Sequence, residues 1–325
     1  MSHAVLVTEA LRGRESQMVR RWLSVRKGLL RAILPILRAL PLPLASRLIA
    51  RIGRTEYALL ARLRASYDAA VARGGDQLGC AWDVPAVSRD LAGNQVRWRT
   101  RDLLLDGVPD HRAAPMFLVT GREHLDEALG LGKGVILLGS HYGAHLLPSH
   151  WLVREGYPLR YYMERPRHVS KFLSRHFETD GPLGQSKLFI SRKGDPAGSA
   201  SSILRASRVL GAGMIVNLAG DVRWSGQHTQ PATFLGRTYN FSATWVSLAA
   251  LTRAPVVPVF CQMQKEGTYH VEFHPHFHVP SDAPKTGQAL RYVQEFLRSL
   301  EDQVRLHPAN SNEYFFWPEL DDLAA

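Results

Sequence analysis

The sequence predicts an α/β fold: a mostly parallel sheet with helices on both faces, preceded by a helical N-terminal arm. Two observations carry this reading. First, short apolar runs rich in branched residues sit between glycines. Val135 to Leu138, between Gly134 and Gly139, is the clearest, and such a run fits a strand buried on both faces. Second, these runs alternate with helix-length amphipathic segments, the pattern of strands joined by crossover helices. The boundary is expected near residue 112, with a helical arm over 1–112 and the α/β domain over 113–325.

Along the chain, residues 1 to 27 are polar and basic, with no apolar stretch before a cleavage site, so no signal peptide is expected. Residues 28 to 54 are the most hydrophobic part of the N-terminal third. Arg31, Arg38 and Arg47 interrupt them, and Pro35, Pro41 and Pro43 break the helix, which argues against a membrane-crossing span. Leu30, Ile33, Leu34 and Leu37 share one helical face. After Pro43, Leu44, Leu48 and Ile52 oppose Arg47, Arg51 and Arg54, the pattern of a helix that rests on a bilayer surface. Residues 55 to 112 read as helices with loops around Gly74-Gly75 and Gly93-Asn94, and Trp98, Arg99 and Arg101 as a solvated basic face with a packed tryptophan. Strands are expected at 116–119, 135–139, 159–163, 187–190, 213–218 and 256–261, with an added strand over 269–279. Helices are expected at 123–129, 148–155, 168–178, 196–210, 241–253 and 286–306. Asp195-Pro196 supplies a cap followed by proline at the first helical position. The tail after Trp317 is acidic and expected to fray.

The chain carries 40 basic and 29 acidic residues, a net charge of +11. A basic surface attracts anionic lipid headgroups, the phosphates of coenzyme A or an acidic carrier protein. Nucleic acid is set aside because no recognised binding motif accompanies the charge. Cys80 and Cys261, the two cysteines, form no disulfide framework or metal spacing and fit a reducing, cytoplasmic-facing location. His270, His274, His276 and His278 lie close together, but Pro275 interrupts them and no Cys or acidic ligand shares the spacing; an exposed histidine-rich strand is expected, with no metal and no cofactor. No Gly-x-Ser-x-Gly elbow, P-loop or strand-borne dinucleotide fingerprint is present.

The chain is organised around Gly139-Ser140-His141-Tyr142-Gly143. A histidine just past the carboxyl end of a buried strand lies where open α/β sheets hold their ligands, and at neutral pH its imidazole can take a proton from a hydroxyl or amine. Small Gly143 would let backbone N–H groups approach a developing oxyanion. Asp221, directly after the 213–218 strand, and Glu164, after the 159–163 strand, are carboxylates the sheet could bring to the same edge. Arg165 and Arg192 suit a phosphate or charged headgroup, and Tyr142 is a further candidate substrate contact.

The segment resembles the lysophospholipid and lipid A late acyltransferases, whose strand-loop motif is His, four residues, then Asp or Glu. The similarity continues through Tyr161 to Pro166 (YYMERP), Ser191 to Gly194 (SRKG), Gly213 to Asp221 (GMIVNLAGD) and Pro231 to Phe260, with its Phe-x-Gly turn. One position departs: after His141 and four intervening residues stands Leu146, with no carboxylate. His150 and Glu155 satisfy the spacing, but inside the helical segment, as a coincidence. The resemblance implies a peripheral enzyme on the cytoplasmic face of the inner membrane. It would move a fatty acyl chain from an acyl-carrier-protein or coenzyme A thioester to a hydroxyl or amine of a lipid or small amphiphile, with His141 as base. Leu146 leaves two other readings open: a non-catalytic lipid-binding or partner protein of the same fold, or a thioesterase.

Overall fold

The structure is a computed structural model that describes residues 28–30, 32–105, 107–164, 187–190, 196–224, 228–284 and 286–318. After a helical stretch over 32–39, the N-terminal third is three helices, α1 (Leu42–Leu59), α2 (Ala61–Leu78) and α3 (Val84–Leu105). The rest alternates: β1 (Phe117–Thr120), α4 (Arg122–Gly130), β2 (Val135–Gly139), α5 (Leu147–Arg154), β3 (Leu159–Glu164) and β4 (Lys187–Ile190). Then come α6 (Pro196–Gly211), β5 (Ile215–Ala219), the hairpin β6 (Thr229–Phe234) and β7 (Arg237–Ser242), α7 (Thr244–Thr252), β8 (Val256–Met263), β9 (Tyr269–Phe273) and α8 (Ala289–Leu306).

Seven strands form one sheet in the order β1-β9-β8-β2-β5-β3-β4. Every neighbouring pair is parallel except the β8–β9 hairpin. The apolar strand runs follow from this position. In β2, Ile136 and Leu138 enter a core with Phe234, Trp245 and Phe296, while Val135 and Leu137 enter a second core with Ile49, Val96 and Trp151. Both faces of the strand are covered, so alternation with polar residues would leave charge in a core.

Several expectations change against the structure. Gly74-Gly75 and Gly93-Asn94 are not loops but lie inside α2 and α3. They are there for contact: a Cβ at Gly74 would strike the Phe315 ring, and one at Gly93 would meet the Ala50 carbonyl oxygen 3.0 Å away. Gly53 on α1 likewise faces the Ala92 carbonyl, so α1 and α3 cross closely at small residues. The buried face of α1 is Leu42, Ala45, Ile49, Ala50 and Gly53, whereas Leu44 is exposed and Leu48 and Ile52 are half-buried. Much of the expected interfacial pattern is thus spent on packing, although Leu29, Ile36 and Leu44 remain at the surface. No described helix is long and apolar enough to cross a membrane. The β6–β7 hairpin was not anticipated; its turn is Leu235-Gly236, both at positive φ. The added strand ends at Phe273, ahead of Pro275. His270 then bonds Thr120 and His274 pairs with Glu272. The helix expected over 168–178 lies outside the described residues.

Candidate active site

Two adjacent parallel strands build the site. β2 and β5 pair in register, Gly139 opposite Ala219, so two residues beyond each strand end His141 and Asp221 arrive side by side at the carboxyl edge. The Gly220 N–H donates to the Gly139 carbonyl at 2.8 Å and extends the match past the strand ends. The His141 ring Nδ1 lies 3.0 Å from Asp221 Oδ1, and the His141 backbone N–H donates to Oδ2 at 2.8 Å. A third donor, the Tyr314 hydroxyl, reaches Oδ2 at 2.7 Å. Two oxygens of one carboxylate therefore hold the ring and the backbone of the same histidine, which fixes the imidazole in direction as well as place.

Burial separates the two partners. The Asp221 side chain is fully buried, whereas that of His141 is 34% exposed. Burial pushes the Asp221 carboxyl up, but the His141 charge, together with the His141 and Tyr314 hydrogen bonds, outweighs it and holds Asp221 below the usual carboxylate range. With Nδ1–H donated to an ionised Asp221, the neutral ring presents the lone pair of Nε2. Against this ring packs His145, centroids 5.1 Å apart. Trp98 Nε1 donates to His145 Nδ1 at 3.4 Å. Burial first, then the nearby charges of Arg101 and His141, depress the His145 imidazole well below its ordinary value. His145 thus stays neutral beside His141.

The loop between the strand and α5 is a closed set of hydrogen bonds. Besides His141, the Tyr142 N–H reaches Ser140 Oγ at 3.4 Å, the Gly143 N–H donates to the Asn310 carbonyl at 2.9 Å, and the Ala144 N–H donates to the Cys261 carbonyl at 2.8 Å. All four amides are engaged, which corrects the expectation that N–H groups around Gly143 receive an oxyanion. Gly143 is required for another reason: it sits at φ +56° and its missing Cβ would overlap the Cys261 carbonyl oxygen. Tyr142 is also corrected as a substrate contact. Its ring is buried, and its hydroxyl donates to the Gln303 and His307 carbonyls at 3.0 and 3.1 Å. Glu164 ends β3, which β5 separates from β2; its side chain, like Arg165 and Arg192, lies outside the described residues. His150 is buried within α5 and Glu155 pairs with Arg122, away from His141.

The sequence model of the bacterial lipid A biosynthesis acyltransferase family matches residues 103–317, more than half of the chain. The chain belongs to this family. No curated protein matches it.

Within this lipid A acyltransferase fold, Leu146 is a buried apolar residue at the start of α5, and Asp221 stands at the imidazole in place of a carboxylate at position 146. Sequence reasoning missed the remaining neighbours. Tyr314 and Glu313 come from the C-terminal segment, which also braces the site: Asn310 accepts from Gly143 and, through Oδ1, from the Met263 N–H at 2.8 Å. Burial raises the Glu313 carboxyl; the His141 charge opposes that rise and the Asp221 charge adds to it. Arg101, expected in solvent, is buried with its guanidinium 4.6 Å from the Trp98 ring centre and bonded to the Trp98 carbonyl. The one available signal was the spacing Arg97-Trp98-x-x-Arg101, which puts both arginines on one helical face.

Proposed function

We propose that this family member is an acyltransferase in which His141, oriented by Asp221, acts as the general base. The observation that carries this reading is the partly exposed imidazole held through Nδ1 by a buried carboxylate. The acceptor hydroxyl or amine gives its proton to Nε2 as its oxygen or nitrogen attacks the thioester carbonyl. The tetrahedral intermediate collapses, the carbon–sulfur bond breaks, and the departing thiolate takes the proton back from the imidazolium. Asp221 stays ionised throughout and stabilises the imidazolium. Because the amides of residues 141–144 are committed, charge on the carbonyl oxygen is assigned to side chains, with buried Arg101 supplying positive potential to this corner. The acyl donor is a carrier-protein or coenzyme A thioester and the acceptor a lipid or small amphiphile. The protein acts peripherally at the cytoplasmic face of a membrane.

The test is thiol release by the purified protein from acyl-carrier-protein and acyl-coenzyme A. Release that requires a lipid acceptor supports transfer. Release without acceptor identifies a thioesterase, and no release with any donor leaves a lipid-binding protein of the same fold.

A further inference from the structure

A second feature lies between α1 and the β8–β9 turn and has no part in the chemistry above. It is a cavity of about 170 Å³, lined by Arg47, Arg51, Arg54, Arg97 and Lys265, with Leu44 among its apolar walls. Among the described residues no carboxylate lines it. Arg97 forms the floor. Its guanidinium is buried and bonded to Ser46 Oγ, Asn94 Oδ1 and the Gln264 and Thr268 carbonyls, all neutral acceptors. These bonds, with Gly267 pressed against the Pro43 carbonyl, hold the turn on α1. Arg54 is paired through one amine with Asp90 at 3.1 Å, but its Nε is buried without a hydrogen-bond partner among the described residues. Arg47, Arg51 and Lys265 are exposed at the rim, and among the described residues none of them makes a hydrogen bond or ion pair.

Five cations around one cavity, offset by a single aspartate, repel one another, and burying an unpartnered guanidinium N–H costs free energy. A phosphate group removes both penalties, since its oxygens accept several charge-assisted bonds from arginines at once. We propose that this cavity binds the phosphate of a membrane lipid headgroup. The lipid source follows from the surroundings: Leu44 is exposed at the rim, and Leu29 and Ile36 are exposed on the helical stretch leading into α1. A phosphate held in the cavity places those side chains at the level of the acyl chains, the arrangement of a helix that rides in the interface. The site is independent of acyl transfer and would hold the chain on the bilayer whether or not His141 is a base.

The experiment is co-sedimentation of the full chain with vesicles of phosphatidylcholine alone or with added phosphatidic acid. Binding is expected only with phosphatidic acid. The triple variant R47Q/R51Q/K265Q should lose roughly a hundredfold in partitioning, at about 1 kcal/mol for each basic residue near an anionic surface. A control variant, K133Q/R237Q/R298Q, removes the same charge from exposed positions elsewhere and should lose less than about threefold under the screening of physiological salt. Circular dichroism melts of both variants establish that they are folded. Equal losses in the two variants would mean diffuse electrostatic attraction and overturn the site, as would full binding by R47Q/R51Q/K265Q. If inorganic phosphate in solution displaces the vesicles at concentrations matching the lipid phosphate, the cavity takes free anions and the lipid assignment fails.

Discussion

Replacing Tyr314 with Phe removes one oxygen and leaves the ring, which packs 5.1 Å from Phe234 and 5.0 Å from Trp317, centre to centre. The lost contact is the 2.7 Å donation to Asp221 Oδ2 inside a fully buried carboxylate site. A hydrogen bond to a charged group contributes about 1.5–3 kcal/mol, so stability at pH 7 should fall by that amount. The sign with pH follows from Asp221. Its folded carboxyl is depressed, so its contribution is complete above the unfolded value of about 3.9 and is lost as pH falls below that through the folded value. Without Tyr314 the folded value rises, and the wild-type and variant stabilities should converge in acid. Activity carries a signature that packing alone would not move. A carboxylate with fewer donors holds the imidazolium more strongly, so the acidic limb of kcat/KM should move to higher pH, by about half a unit to one unit. Urea unfolding across pH and a pH–rate profile measure the two effects. Unchanged stability together with an unmoved limb would refute the claim that Tyr314 tunes the pair.

Two other substitutions probe the same site. Asp221→Asn keeps the shape but sets an amide N–H against donors that need an acceptor. Turnover should fall by roughly 10³–10⁴, as for the equivalent change in a serine-protease triad, and unfolding free energy by about 1–3 kcal/mol; a variant with wild-type turnover would remove Asp221 from the site. Leu146→Glu restores the spacing of the family motif, yet position 146 is buried and apolar, and Asp221 already orients the ring. Turnover should not rise, and stability should drop by roughly 3–5 kcal/mol for an unpaired buried charge; faster turnover in a stopped thiol-release assay would show that His141 lacks an orienting partner.

The sheet was legible because its strands are buried on both faces. Val135–Leu138 and Val256–Cys261 could be read as continuous apolar runs, and their ends fall at the edge where function collects. Asp221 was legible for the same reason, two residues beyond a strand end. What the sequence hid were contacts that depend on distant chain. Gly74 and Gly93 look like loop glycines until Phe315 and Ala50 are brought against them. Tyr314 lies 93 residues from the carboxylate it serves, in a segment whose composition suggests only a packed end. Gly143 was read as letting backbone N–H groups approach an oxyanion, whereas the close approach it permits is to the Cys261 carbonyl. The helical arm was misjudged on Arg101, because a charged residue on an amphipathic helix reads as solvated until an aromatic ring and a buried carbonyl receive it.

The central claim is that the imidazole of His141 carries the proton in acyl transfer. Its most direct test is single-turnover acyl transfer by His141→Ala, with folding checked by thermal melting. The ring is partly exposed and contributes little packing, so the main cost is the lost bond to buried Asp221, about 1.5–3 kcal/mol, and the variant should still fold. Acyl transfer should fall by at least roughly 10³, the scale of removing a general base and its oriented partner. Transfer at the wild-type rate in a folded His141→Ala protein would contradict the mechanism.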